Sequence, residues 1–313
     1  MTLDEQSATL IAAIDLRFPK LGTEVTDATE ARRILAEKPA VPAPAPEVHR
    51  VDEQHVPGPD GAPPVRVRIY RPGPDTADRP AIVFFHGGGF VICSLDTHDA
   101  ICRELAVGVD AVVINVDYRL APETRWPGAA QDCYAATAWV AENAAELGID
   151  PARIVVAGDS AGGNLAAVVT LLARDLCGPE LAGQLLVYPM LDTDFDTESY
   201  RRNGLGYNVT VDHLRWYWQQ YLGDHDGTDP AAAPLLAPDL RDLPPAYIVT
   251  AEYCPLRTEN EQYAARLTAA GVPATLVGYP GVAHGFFTLG HLLDTGRRAV
   301  VETTTALREM LHG

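Results

Sequence analysis

The sequence lacks the features of membrane-spanning and exported proteins. It has no run of about 18 apolar residues, the length that a helix needs to cross a bilayer. The segment Met1 to Phe18 contains Asp4 and Glu5, and it has neither the basic start nor the continuous apolar stretch of a secretory signal. We therefore expect a cytoplasmic protein that does not engage a membrane.

Cysteine is scarce, and metal-binding patterns are missing. The five cysteines are Cys93, Cys102, Cys133, Cys177 and Cys254. Their number is odd and no two form a C-x-x-C pair, which favours reduced thiols over a disulfide framework. The sequence also has no H-E-x-x-H motif and no Cys/His pair at the spacing of zinc ligands, so we expect no metal site.

Basic residues are few relative to acidic ones. The chain has 24 Lys and Arg against 42 Asp and Glu, a formal net charge of −18. Such a field repels nucleic acid and anionic membranes, and no cluster of Lys and Arg opposes it. The balance favours a neutral or cationic small molecule as the partner, and it excludes nucleic acid.

The hydrophobic pattern predicts an α/β protein with eight strands. The strand candidates are residues 47–56, 64–70, 81–85, 111–116, 153–158, 184–188, 246–251 and 274–279. Four of them are continuous runs rich in Val and Ile, as expected for parallel strands that are covered on both faces. The first two alternate polar and apolar residues, which indicates an antiparallel start to the sheet.

Two segments lie outside this strand and helix alternation. Residues 1–45 have helical patterns and end in a Pro-rich link over 39–46. A long insertion separates the sixth and seventh strands, and its aromatic helix, Val211 to Leu222, contains Trp216 and Trp218. Because it exceeds an ordinary connection and follows a strand's carboxyl end, we interpret the insertion as a cap over a site.

One motif predicts a nucleophile. Gly158-Asp-Ser-Ala-Gly162 matches G-x-S-x-G, and a strand enters it and a helix leaves it. The glycines allow a sharp turn that projects the Ser160 side chain above the sheet. The start of the following helix offers amides and positive potential to a developing oxyanion.

Two further motifs fit the same chemistry. Three glycines, residues 87–89, follow the third strand directly and bring bare backbone amides to its carboxyl end. His284 lies after the last strand, where a general base that deprotonates Ser160 is expected in this chain order. We therefore predict nucleophilic catalysis by Ser160 with His284 as its base.

Five motifs in the sequence belong together: His86-Gly-Gly-Gly-Phe90, Val116-Asp-Tyr-Arg-Leu-Ala-Pro-Glu123, Gly158-Asp-Ser-Ala-Gly-Gly-Asn164, Tyr188-Pro-Met-Leu-Asp192 and His284-Gly-Phe286. With them the sequence resembles the hormone-sensitive-lipase family of α/β-hydrolase esterases over nearly its whole length. Within that family the chain is most similar to bacterial acetyl esterases, including the heroin-hydrolysing type.

The resemblance implies a fold, a substrate class and several site residues. The fold is the α/β-hydrolase fold, a mostly parallel eight-stranded sheet flanked by helices. Residues 1–45 and about 195–225 would form a helical cap, and 46–313 the catalytic domain.

Gly88, Gly89 and the Ala161 amide would form the oxyanion hole, and His86 would anchor its loop. Short acyl esters are the implied substrates, and no cofactor is implied. Trp216 and Trp218 would line the pocket.

The sequence departs from the family at the acid of the triad. Where the family has an Asp after the seventh strand, this chain has Cys254, and a neutral thiol is a poor stabiliser of an imidazolium. Glu252, two residues earlier on the same strand, is our first candidate for a replacement acid, because alternate residues share a face. Asp192, after the sixth strand, is the second, while Glu259 and Glu261 are expected to point elsewhere.

Other functions use the same residues. The plant gibberellin receptors resemble this family, keep the pocket and lack the hydrolytic His, so a binding protein without turnover is an alternative. Amidase or thioesterase activity would need the same Ser160 and His284. A homodimer formed through the edge of the last strand is also expected, because edge strands invite pairing.

Overall fold

The structure is a computed structural model that describes residues 2–37, 43–74 and 78–313. Met1 and residues 38–42 of the predicted N-terminal cap lie outside the described residues, and with them half of the predicted Pro-rich link. Within the described residues, no helix is both long enough and apolar enough to cross a bilayer.

One sheet of eight strands organises the fold, as predicted. The strands are β1 (Arg50–Val56), β2 (Val65–Arg71), β3 (Arg79–Phe85), β4 (Val112–Asp117), β5 (Ile149–Asp159), β6 (Gly183–Val187), β7 (Ala246–Tyr253) and β8 (Ala274–Ala283). Their order is β1-β2-β4-β3-β5-β6-β7-β8. Strand β2 runs antiparallel to β1 and β4, and the remaining pairs are parallel, so the predicted antiparallel start is confirmed.

Helices cover both faces of this sheet. They are α1 (Glu5–Asp15), α2 (Ala28–Glu37), α3 (Asp99–Val109), α4 (Gly128–Glu142), α5 (Ala144–Leu147), α6 (Ala161–Asp175), α7 (Glu198–Asn203), α8 (Val211–Leu222), α9 (Arg257–Ala269) and α10 (Asp294–His312). Short 3-10 helices span Pro234–Leu236 and Gly290–Leu292. The α-helices α3 to α6 and α9 alternate with strands, which is why the strands they connect run parallel, and α10 follows the last strand.

The central strands are buried on both faces. All five residues of β6 are buried, as are six of the seven residues of β3. Their Val, Ile, Leu and Phe side chains form one apolar core together with α6. Because β3 and β5 are neighbours, their carboxyl ends place the glycine loop beside the Ser160 turn.

The N-terminal helices and the insertion meet above these strand ends. The backbone N–H of Asp4 donates to the Gly281 carbonyl at 2.9 Å, which attaches the start of α1 to the end of β8. The indole of Trp216 on α8 donates to the Thr26 carbonyl at 2.7 Å. These contacts join the two segments that were predicted to form the cap.

Candidate active site

The Ser160 turn has the strained geometry that its motif predicts. Ser160 is the single residue between β5 and α6, with a φ of +56° and a ψ of −117°. A conformation of this kind costs a residue with a side chain about 1–3 kcal/mol. A Cβ at Gly158 would overlap the backbone of Gly162, and a Cβ at Gly162 would overlap the Phe85 carbonyl, so both glycines are needed for the turn to close. The Ser160 N–H donates to the Val187 carbonyl at 2.8 Å and fixes the turn to β6.

His284 lies beside the serine. Its Nε2 is 3.0 Å from the Ser160 Oγ, within hydrogen-bond distance of the proton that a base would remove. The side-chain amide of Asn208 donates to the His284 carbonyl at 3.0 Å, and the Tyr188 ring lies 4.4 Å from the imidazole. The ring therefore packs against Tyr188, and its backbone is fixed by the insertion.

The other imidazole nitrogen faces a thiol. The Sγ of Cys254 lies 3.2 Å from Nδ1 of His284, and Cys254 is fully buried. Burial is the main cause that raises the pKa of this thiol far above its ordinary value. Cys254 is therefore a neutral partner that can donate its proton to Nδ1 or accept one weakly from it.

Glu252 has a different partner in the structure. One oxygen of its carboxylate accepts the Gly281 N–H at 2.9 Å, and it makes no hydrogen bond to His284 among the described residues. The reason is local: β7 ends at Tyr253 and its pairing with β8 shifts register between Ala251 and Tyr253. Cys254 lies beyond the end of β7, so the alternation of side chains along the strand does not place Glu252 and Cys254 on the same face.

The remaining acidic candidates also have other partners. Asp192 accepts the N–H of Thr193 at 2.7 Å, and burial raises its pKa. Glu259 is fully buried and accepts the Leu191 N–H at 3.3 Å, while Glu261 pairs with Arg257. Burial also raises the pKa of Glu259 well above its ordinary value.

The glycine loop packs against the cap. Gly88 and Gly89 have φ values of +105° and +60°, and a Cβ at Gly89 would overlap the ring of Tyr217. Tyr217 lies on α8 and is 6% exposed, so it covers the loop whose amides were assigned to the oxyanion hole. Ala161, the third expected donor, is the first residue of α6.

His86 holds the base of the glycine loop. Its Nδ1 lies 2.7 Å from the Gly87 carbonyl, and the Tyr118 hydroxyl donates to the His86 carbonyl at 2.8 Å. The two rings stack with centroids 4.4 Å apart. Complete burial lowers the pKa of His86 to about 3, so this imidazole is neutral at pH 7. These are the contacts of a loop anchor.

A small apolar cavity opens beside His284. Its lining includes Leu10, Ile11 and Ile14 of α1, together with Asn208 and Phe286. The side chains expected there, Trp216 and Trp218, are not in the lining; they are 3% and 2% exposed. Trp218 packs against Phe90 with ring centroids 5.5 Å apart. In this arrangement the two indoles face the protein interior.

Three residues of this site were not predicted from the sequence. Tyr217 is one of three consecutive aromatic residues, and nothing in the pattern shows which of them faces the loop. Asn208 acts through its side chain on a distant backbone carbonyl. Asp159 carried a signal, because it lies inside the G-x-S-x-G motif, and its carboxylate accepts the Gly87 N–H at 2.9 Å.

Comparisons with known proteins agree with this geometry. The family described as alpha/beta hydrolase fold matches residues 82–288. Esterase LipI of Mycobacterium tuberculosis is 43% identical over 294 residues, covering 92% of this chain and 91% of that protein. An ethyl acetate hydrolase of Pseudomonas putida is 38% identical over 251 residues, covering 78% of each chain.

The solved structures give the same result over the whole chain. The hyperthermophilic esterase of the archaeon Pyrobaculum calidifontis superposes with a TM-score of 0.90 and is 40% identical, with 99% of each chain covered. Fold, strand order, nucleophile turn and sequence similarity thus point to one group of enzymes. The chain belongs to the hormone-sensitive-lipase-like family of esterases with the α/β-hydrolase fold.

Proposed function

We propose that this carboxylesterase hydrolyses short-chain acyl esters, acetyl esters first among them, through an acyl-enzyme on Ser160. The observation that carries the proposal is the 3.0 Å contact between the Ser160 Oγ and Nε2 of His284. A protein that only bound a ligand would not need a serine in a strained backbone conformation within hydrogen-bond distance of a histidine base. The name of one relative, the ethyl acetate hydrolase that is 38% identical, supports a short acyl group.

The reaction begins with proton transfer from Ser160. Nε2 of His284 accepts the hydroxyl proton as Oγ attacks the ester carbonyl, and the carbonyl π electrons move onto oxygen. The amides of Gly88, Gly89 and Ala161 are the proposed donors to this oxyanion. The imidazolium then protonates the departing alcohol, and a water molecule repeats the sequence on the acyl-enzyme.

The thiol of Cys254 does not fix which nitrogen of His284 carries the proton, whereas a carboxylate would. Nε2 is a base only when the imidazole proton is on Nδ1, and that proton then faces the Cys254 sulfur, a weak acceptor. If Cys254 instead donates its own proton to Nδ1, the imidazole proton lies on Nε2 and Ser160 is not activated. A carboxylate would support only the first of these two tautomers.

Burial of His284 keeps it available as a base under acidic conditions. Burial is the main influence on its pKa and lowers it to about 4, while the negative charge of Asp159 raises it in part. Because the base must be neutral, turnover should increase as the pH rises through about 4 and should be constant above that. The ordinary histidine pKa of about 6.5 would place this rise much higher.

The experiment that tests the proposal compares wild type with Ser160→Ala on p-nitrophenyl acetate. We expect Ser160→Ala to lose at least about 10³-fold in kcat, since the nucleophile is gone. Thr305→Ala, which removes a hydroxyl from the exposed side of α10, is the control and should keep wild-type turnover. An organophosphate ester should also add once per chain, at Ser160 only.

Turnover that survives Ser160→Ala would contradict the proposal. An organophosphate adduct at another residue would contradict it as well. A series of p-nitrophenyl esters from acetate to decanoate tests the acyl-length part separately, and a maximum at decanoate would overturn the short-chain assignment.

A further inference from the structure

The carboxylate of Asp159 lies within the catalytic machinery but has no part in the scheme above. It precedes Ser160 in the chain and is 6% exposed. One of its oxygens accepts the Gly87 N–H at 2.9 Å, and a Cβ at Gly87 would overlap the other oxygen. Asp159 therefore connects the nucleophile turn to the glycine loop, the two parts that must act on one ester carbonyl.

Asp159 is paired with a buried histidine. Nε2 of His98 lies 3.0 Å from the same Asp159 oxygen, and the two side chains are 7% and 8% exposed. Nδ1 of His98 lies 2.9 Å from the Thr97 hydroxyl, which already donates its proton to the Ser94 carbonyl at 2.8 Å. One Asp159 oxygen thus lies within hydrogen-bond distance of both His98 Nε2 and the Gly87 N–H.

The pairing keeps Asp159 ionised despite its burial. Burial alone would raise the pKa of Asp159, but the charge and hydrogen bond of His98 outweigh it and hold the pKa below its usual range. His284 and His86 act in the same direction. Among the described residues, Asp159 is the one charged side chain that raises the pKa of His284.

We propose that Asp159 is a positioning residue that takes over part of the task of the missing triad carboxylate. It provides a negative charge beside the reacting atoms, which the neutral thiol of Cys254 cannot do, and it holds the glycine loop against the Ser160 turn. As Ser160 transfers its proton to Nε2, the new imidazolium is stabilised by this charge. No proton moves to Asp159. The inference rests on the esterase mechanism proposed above.

A double-mutant cycle separates this task from a structural one. Asp159→Asn removes the charge and keeps an oxygen that can accept the Gly87 N–H. We expect it to lower kcat by about tenfold or more, with KM changed less than about threefold. In a Cys254→Asp background, where a carboxylate faces His284 directly, the same substitution should cost less than about threefold, because interacting sites are non-additive.

Either of two results would overturn the proposal. The first is an equal loss in both backgrounds, which is what a purely structural role predicts. The second is no loss of kcat when Asp159→Asn is made in wild type. Asp192→Asn is the matched control: this half-buried carboxylate contacts neither the serine nor the histidine, and its removal should leave kcat near wild type in both backgrounds.

A second variant keeps the proposal testable if Asp159→Asn does not fold. His98→Gln keeps an N–H donor for Asp159 and removes the charge that lowers the pKa of Asp159. Asp159 should then gain its proton at higher pH than in wild type, so the acid limb of kcat/KM should move to higher pH. The other titratable groups near Asp159 are His86, His284, Cys93, Cys102, Tyr118 and Tyr188. Of these only His284 has to change charge in catalysis. A limb that stays in place or moves to lower pH would contradict the proposal.

The two proposals fail in different ways. If Ser160→Ala still turns over, the esterase mechanism is wrong, whatever Asp159 does. If Ser160→Ala is inactive and the cycle is additive, the mechanism stands and only the inference about Asp159 falls.

Discussion

At the scale of single residues, the two neighbours of the His284 ring define this site. The Ser160 Oγ lies 3.0 Å from Nε2, and the Cys254 Sγ lies 3.2 Å from Nδ1. The position that orients the base is therefore occupied, but by a group that bears no charge. In a serine triad, replacing the acid by a neutral amide costs about 10⁴-fold in kcat. We therefore expect kcat with a thiol in this position to be lower than kcat with a carboxylate.

Glu252 is the residue on which sequence and structure lead to different expectations. If Glu252 were the acid, Glu252→Gln would lose about 10³-fold in kcat or more. Its contact with the Gly281 N–H predicts instead a change of less than about threefold, since glutamine keeps an oxygen that accepts this hydrogen bond. Steady-state turnover of p-nitrophenyl acetate distinguishes the two.

Some of these residues could be predicted from the sequence, and others could not. Ser160 and His284 lie in motifs whose strand context predicts their position, and the structure brings them together. Cys254 was recognisable as a departure at the acid position. The placement of Glu252 on the Gly281 N–H was not predictable, because the end of β7 and its register shift against β8 depend on how the strands pair.

At the scale of elements, helix α1 forms one wall of the cavity beside His284. Asp4 caps its start, because the Asp4 side chain accepts the Ser7 N–H, and its apolar residues Leu10, Ile11 and Ile14 face the cavity. No motif marks α1 as part of the site. Only its docking on the end of β8, through the Asp4 N–H, brings it there.

Shortening an α1 side chain should therefore change substrate preference. Ile14→Ala enlarges the cavity, and we expect the ratio of kcat/KM for p-nitrophenyl hexanoate to that for acetate to rise by about threefold or more. Leu16→Ala is the matched control, because Leu16 follows the same helix and is 83% exposed. An unchanged ratio for Ile14→Ala, or an equal rise in the control, would contradict the assignment of α1 as a wall.

Helix α8 shows why element bounds are more predictable than element orientation. The structure has this helix at Val211–Leu222, the span that the sequence indicated. Its consecutive aromatic residues Trp216, Tyr217 and Trp218 point in different directions around the helix axis. The contact of Tyr217 with the glycine loop is set by how the helix packs, which a pattern of aromatic residues does not contain.

At the scale of the whole molecule, the sheet was largely predictable from hydrophobic pattern. Continuous Val and Ile runs and two alternating strands gave the strand count and the antiparallel start. Boundaries were less predictable: β8 continues to Ala283, beyond the expected residue 279, because it pairs with β7 up to that point. Strand β8 lies at one edge of the sheet, and a dimer through this edge stays a prediction.

Buried histidines should make the whole protein sensitive to acid. Burial lowers the pKa of His86 to about 3 and that of His284 to about 4. In the unfolded chain both bind protons near pH 6.5, so below that pH the unfolded state holds more protons than the native state. The free energy of unfolding should therefore fall as the pH decreases, by on the order of 1.4 kcal/mol per pH unit for each histidine.

Urea unfolding at pH 7, 5.5 and 4.5 checks this dependence. Midpoints that move to lower urea concentration, with an unchanged slope of free energy against urea, are the expected result. A free energy of unfolding that is constant or rises on acidification would show that these imidazoles are not buried and neutral.

A neutral thiol orients His284, and Cys254→Asp is the sharpest test of this arrangement. The measurement is kcat for p-nitrophenyl acetate at pH 7, with Cys254→Ser as the matched control and a thermal unfolding curve for each variant. We expect at least about a tenfold increase for Cys254→Asp, with Cys254→Ser near wild type, because only the carboxylate stabilises the imidazolium. A folded Cys254→Asp that is no faster than wild type would contradict it.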